Sequence, residues 1–144
     1  MFSLKIVNPS RVILLRGNHE TMGISSGYGY SKECHRISCS FGKFPPIYQA
    51  SLELFEWLPV AAVVSGAVLI LHGGIGDGQW TLDQLRATQR PISDDTLEGS
   101  DCNRILGNVL WSDPIGDGDE TAPLNRNTQV ETAPRCCVGV QLLF

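Results

Sequence analysis

The chain has 144 residues, a formal net charge of −4 and an isoelectric point near 5.2, a length that fits one domain. Its mild acidity serves solubility, and no basic tract or aromatic–basic interleaving points to nucleic acid as a partner. Five cysteines (Cys34, Cys39, Cys102, Cys136 and Cys137), odd in number and irregular in spacing, exclude a disulfide framework and fit a reducing, intracellular setting in the cytoplasm or nucleus.

Residues 2–7 (Phe2, Leu4, Ile6, Val7) leave helix and strand both open, and Pro9-Ser10 breaks the run. Val12-Ile13-Leu14-Leu15 predicts a buried strand, followed at once by Arg16-Gly17-Asn18-His19-Glu20. Residues 22–31, rich in Gly, Ser and Tyr, predict a loop that enters a helix near Ser31. Pro45-Pro46 stops local structure, and a helix follows over about 47–57, burying Leu52, Phe55 and Tyr48. Strands 60–64 and 67–71 flank Ser65-Gly66, a two-residue hairpin signal. The stretch 58–71 is the longest apolar run, but Ser65-Gly66 interrupts it and it is too short to span a bilayer. The N-terminus lacks the apolar core of a secretory signal, so no membrane partner is expected.

Thr81-Leu82-Asp83-Gln84 fits a capping box that opens a helix with Leu82 and Leu85 inward, ending before Pro91. Residues 93–103 are acidic and polar and read as a loop or poor helix. Val109-Leu110-Trp111 predicts a short strand, stopped by Ser112-Asp113-Pro114. From Ile115 the character changes. Gly116-Asp117-Gly118-Asp119-Glu120 and the Asn-, Thr- and Pro-rich run to Pro134 read as flexible linker, and the tail from Cys136 to Phe144 is apolar without helical period. No internal repeat is present.

Chemistry collects after two of the apolar runs. Asn18 offers a neutral oxygen to a metal, and His19 can ligate or transfer a proton. Glu20 can orient either one, and Gly17 lets the backbone turn. The run 68–71 ends in His72-Gly73-Gly74. Taken alone, an Asn-His pair in a loop is usually solvated surface; order and context carry the reading. A dinucleotide loop starting at Gly74 would need glycine at position 79, where the chain has Gln79, and no Walker-type Gly-Lys-Ser/Thr occurs. Those glycines instead let the backbone pass close to the site. A zinc knuckle from Cys34, His35 and Cys39 lacks a fourth ligand.

The stations Leu14-Leu15-Arg16-Gly17-Asn18-His19-Glu20, His72-Gly73-Gly74 and Leu110-Trp111-Ser112-Asp113-Pro114, in this order, resemble the phosphoprotein phosphatase family of metal-dependent serine/threonine phosphatases. Tyr28-Gly29-Tyr30 through Glu33-Cys34, Phe55 through Trp57-Leu58-Pro59-Val60-Ala61-Ala62, and Gln89-Arg90-Pro91-Ile92 agree, so the resemblance spans roughly residues 2 to 115. His72-Gly73-Gly74-Ile75-Gly76 resembles most the branch that carries Kelch repeats, although no Kelch blade lies in this chain.

The resemblance implies an α/β fold, a fragment of the metallophosphoesterase β-sandwich flanked by helices. Residues 1–115 would form a partial catalytic domain and 116–144 a flexible, divergent tail. It implies two divalent metals (Mn, Fe or Zn) that share a bridging water or hydroxide, which attacks phosphorus in line while arginines clamp the phosphoryl oxygens. By motif match Asn18 and His72 are ligands of the second metal, and His19 is the general acid that protonates the departing serine or threonine alkoxide. Glu20 and Arg16 read as structural, the former bonding backbone and the latter an ion pair. Tyr30 reads as a packing residue that could also lie near the substrate groove. Phosphoprotein substrates and regulatory subunits are the implied partners.

The family's upstream Gly-Asp-x-His-Gly and Gly-Asp-x-x-Asp-Arg-Gly motifs do not occur here, and no histidine follows His72. The chain therefore reads as the middle of a phosphatase domain, expected to be inactive alone. Two other readings compete with a phosphatase segment: a truncated, non-catalytic product that acts through protein binding, and an unrelated small α/β binding module.

Overall fold

A computed structural model describes residues 1–41, 47–98, 103–112 and 140–142. Helix α1 (Phe2–Val7) opens the chain and buries none of its residues. Three helices follow: α2 (Met22–Gly27), α3 (Tyr30–Phe41) and α4 (Ile47–Phe55). A hairpin of β1 (Ala61–Val64) and β2 (Val68–Leu71) comes next. Helices α5 (Leu82–Arg86), α6 (Asp94–Glu98) and α7 (Arg104–Trp111) follow it, and β3 (Val140–Leu142) closes the order. Helix and strand are thus mixed, as the α/β expectation requires.

The sheet runs β1-β2-β3, antiparallel throughout. Ala61 pairs with Leu71 and Val64 with Val68. Ser65 and Gly66 both take positive φ (53° and 69°), the handedness that matches the strands' own twist, and the Ala67 amide donates to the Val64 carbonyl at 3.1 Å. On the other side Ile70 pairs with Val140 and Val68 with Leu142. Leu69 and Leu71 of β2 are buried on one face. They join Val60, Leu85, Ile92, Leu97, Leu106, Val109 and Leu110 in one core. Leu106 and Val109 are 0% exposed, so α7 is the most buried element described.

Helices α2, α3 and α4 pack on one another. On α4, Tyr48, Ser51, Leu52 and Phe55 recur at helical spacing, and Ser51 and Phe55 are buried. Tyr30 bonds the Ser51 hydroxyl at 2.8 Å and its ring lies 6.1 Å from that of Phe55. Tyr48 meets the Ser25 hydroxyl at 3.0 Å, which joins α4 to α2.

Three local expectations fail, each for a physical reason. Residues 12–15 form no ladder among the described residues and Ile13 is exposed. A strand needs a hydrogen-bonded neighbour, and this segment's backbone is tied by the Arg16 amide, which donates to the Pro59 carbonyl at 2.8 Å. Residues 109–111 belong to α7 rather than to a strand, because Ile105, Leu106, Val109 and Leu110 recur at helical spacing and the Asn103 side chain accepts from the Ile105 amide at the N-terminus. Residues 22–27 are helical rather than loop, since the Thr21 hydroxyl accepts from the Ile24 amide and starts α2. The boundary expected at 115–116, together with Asp113, Pro114 and most of the tail, lies outside the described residues.

Candidate metal centre

The sequence separates Asn18 from His72 by 54 positions, and the fold brings them together. His72 follows β2 directly, and Asn18 lies in the turn after residues 12–17. His72 Nε2 lies 3.0 Å from Asn18 Oδ1. With the ring proton on Nε2 the imidazole donates to the amide oxygen. When the proton moves to Nδ1, both atoms present lone pairs to the same point in space.

Two glycines make room for this approach. A Cβ on Gly17 would stand 2.8 Å from both His72 Nδ1 and Glu20 Oε2. A Cβ on Gly73 would lie 2.9 Å from the Leu110 carbonyl carbon and the Trp111 and Ser112 amide nitrogens. A side chain at Gly17 would press on the His72 ring, and one at Gly73 would push the residue after His72 away from the end of α7.

The turn that carries Asn18 is braced internally. The Gly17 amide donates to Glu20 Oε2 at 2.7 Å. Arg16 is fully buried, and its guanidinium donates from Nε and Nη2 to the Glu20 carbonyl at 3.0 and 2.8 Å. Nη1 donates to the Ile92 carbonyl at 2.5 Å, and Nη2 meets Asp94 Oδ1 at 3.1 Å. Burial lowers the Arg16 pKa, and Asp94, Glu56 and Glu20 oppose that shift. All of its donor nitrogens are thus committed to holding the turn. Asp94 Oδ2 also accepts from the Met22 amide at 2.5 Å, so the start of α2 hangs on the same carboxylate.

His19 is exposed, and its ring lies 4.8 Å from that of Tyr28 at a tilt of 51°. It stands beside Asn18 in the chain yet turns toward solvent, where a substrate oxygen can reach it.

Residues 1–136 match the calcineurin-like phosphoesterase family. The chain belongs to that family. It is 37% identical over 114 residues to a catalytic subunit of protein phosphatase 2A from Dictyostelium discoideum, covering 79% of this chain and 33% of that protein. It is 35% identical over 142 residues to serine/threonine-protein phosphatase 7 of Arabidopsis thaliana, with the same two coverages. Among solved structures, a Saccharomyces cerevisiae serine/threonine phosphatase described as similar to human phosphatase PP5 superposes with a TM-score of 0.63 at 28% identity, covering 78% of this chain and 33% of that one. The chain therefore spans about a third of the length of the relatives it matches.

Membership in the calcineurin-like phosphoesterase family implies divalent metals. Neighbouring ligands on an ion held by bonds of about 2.1 Å stand roughly 3.0–3.4 Å apart. The Asn18–His72 separation of 3.0 Å fits that spacing. The fit extends to two positions on one ion: among the described residues no group of three or more His, Cys, Asp and Glu side chains gathers as a metal cage. Cys39 Sγ lies 3.5 Å from His35 Nε2, but Cys34 is buried and among the described residues the three form no metal-holding group. Among the described residues no helix is long and apolar enough to cross a membrane.

Sequence reading missed the supports of this site. Asp94 lies 78 positions from Arg16, and Asp77 and Asn108 grip the loop after His72. A signal existed in one case: Asp77 interrupts a glycine run, and a charged residue there needs a partner.

Proposed function

We propose that the chain forms part of the catalytic centre of a serine/threonine protein phosphatase that hydrolyses phosphoserine or phosphothreonine in protein substrates inside the cell. The observation that carries the proposal is the 3.0 Å convergence of Asn18 Oδ1 and His72 Nε2. These two would hold one divalent metal (Mn, Fe or Zn) of a dinuclear pair, with the remaining ligands supplied from outside the described residues. A bound divalent metal supplies Lewis acidity and lowers the pKa of water toward neutrality.

The chain's own contribution to the chemistry is a proton. As the phosphorus–oxygen bond to the serine or threonine side chain breaks, the departing oxygen gains charge. The His19 imidazolium gives that oxygen its proton and becomes neutral imidazole. Imidazole suits this step because it titrates near working pH. Arg16, committed to backbone carbonyls and Asp94, is not free to clamp phosphate. Regulatory subunits are proposed as partners of the whole protein, as the description of one relative as a catalytic subunit suggests.

The test is His19→Ala in an intact phosphatase carrying this segment. The rate on a phosphoserine peptide is expected to fall about 10²–10⁴-fold with metal content unchanged. An aryl phosphate, whose phenolate leaves without a proton, should lose far less. Loss of metal, or an equal loss on both substrates, overturns the general-acid role.

A further inference from the structure

The loop after His72 is held by a helix that supplies none of the expected site residues. Two anchors fix it. The Gly73 amide donates to the Val109 carbonyl of α7 at 2.7 Å. Further along the loop, Asn108 Nδ2 donates to Asp77 Oδ1 at 2.9 Å. Asp77, its side chain only 7% exposed, also takes Arg104 Nη1 on Oδ2 at 3.0 Å. Arg104 Nη2 donates to the Gln79 carbonyl at 3.0 Å, and the Gln79 amide donates to Asp77 Oδ1 at 3.0 Å. Gly76 takes φ +60°, and the space its side chain would fill is occupied by the Asn108 amide.

Asn108 is the unexpected member. It is 1% exposed, on the helix whose other inward residues are Leu106, Val109 and Leu110. Its Oδ1 is buried with no hydrogen-bond partner among the described residues. A leucine of similar size would fill the site without orphaning an oxygen. An amide kept there despite that penalty is explained by its other end, the donor aimed at Asp77.

We propose that Asn108 is a positioning residue for His72, acting through Asp77 and the loop 73–78 to keep Nε2 facing Asn18 Oδ1. The loop is short and pinned at both ends, so a shift at Asp77 is transmitted to Gly73 and the imidazole before it. The inference rests on the reading of His72 as a metal ligand only for its metal arm.

The experiment uses the full 144-residue chain, labelled with nitrogen-15, as wild type and as Asn108→Leu and Asp77→Ala. Imidazole nitrogen shifts, read without metal, report the His72–Asn18 hydrogen bond, and Mn²⁺ added alone reports binding through broadening at Asn18 and His72. In Asn108→Leu the spectrum should stay dispersed while the His72–Asn18 signature disappears and apparent Mn²⁺ affinity falls about 10-fold. Asp77→Ala, which removes the acceptor and leaves α7 unaltered, should show the same two losses. If Asn108→Leu does not fold, Asp77→Ala, altered in the loop itself, decides by the same two readouts. His72 signals unchanged in Asn108→Leu, or unchanged in Asp77→Ala, overturn the proposal. If Mn²⁺ leaves the wild type unbroadened, the ligand reading fails, and the metal-free arm alone decides the positioning role.

Discussion

Arg16 shows how one side chain fixes a turn that bears chemistry. It donates to two carbonyls and to Asp94, and it ties residues 16–20 to Ile92 and α6. Removing it would leave those carbonyls and a carboxylate only 25% exposed without their donor. Breaking a buried pair from one side typically costs about 3–5 kcal/mol, so Arg16→Met is expected to lose that much in urea unfolding. Arg16→Lys should recover little, because one ammonium cannot reproduce the planar fork that serves Glu20 and Ile92 together. Recovery of most of the stability by lysine would show that charge, not geometry, is what the site uses. At this scale the sequence was legible where a residue ends an apolar run: Asn18 and His72 stand beside short hydrophobic stretches and meet at 3.0 Å. Asp94 was not legible as a partner of Arg16, because nothing in local pattern encodes a contact across 78 positions.

Among the helices and strands, the reading succeeded where the signal was local stereochemistry. The Ser65-Gly66 turn carries its two positive φ angles, and the Thr81–Gln84 box closes in both directions, at 2.8 Å and 3.2 Å. It failed where periodicity was short. The run Val109-Leu110-Trp111 is apolar enough for a strand, and only the longer spacing from Ile105 reveals α7. Residues 12–15 had the composition of a strand and pair with no neighbour among the described residues. The capping box sets a measurable contribution: α5 is only five residues long and holds Leu85 in the core. Thr81→Ala should cost about 1 kcal/mol by urea unfolding, whereas Thr81→Ser should be nearly silent. Helix α3 offers a pH test. Arg36 bonds both carboxylate oxygens of Glu33, at 2.8 and 2.6 Å, and this holds the Glu33 pKa below its ordinary 4.5. A depressed carboxylate stabilises the folded form above its unfolded value, and that contribution is lost as pH falls through the folded value. A carboxyl carbon titration of Glu33 should therefore show a midpoint under 4.5 that moves up in Arg36→Gln and in high salt. A midpoint unaffected by both would mean the pair is absent in solution.

For the whole molecule, the question is how much of a catalytic centre can be held by a chain that spans about a third of the length of the phosphatases it matches. The described residues bring together Asn18 and His72, the proposed partial ligation of one ion, and place His19, the proposed proton donor, next to Asn18 in the chain. Arg16 is committed elsewhere, and no described cluster gathers three or more His, Cys, Asp and Glu side chains for a metal. Preorganised charge stabilisation is usually the largest catalytic term, and losing one well-placed donor already costs about 10²–10³ in kcat. With no further cluster of ligands among the described residues and Arg16 committed elsewhere, the rate should fall further. On a phosphoserine peptide with Mn²⁺ present, the 144-residue chain is expected to turn over more than about 10³-fold slower than the phosphatases it matches. The same chain should still bind Mn²⁺ weakly at Asn18 and His72, since binding needs only the two converging donors. Weak binding without turnover would fit a chain that acts through association rather than hydrolysis. Turnover close to that of its relatives would mean that residues outside the described set complete the centre.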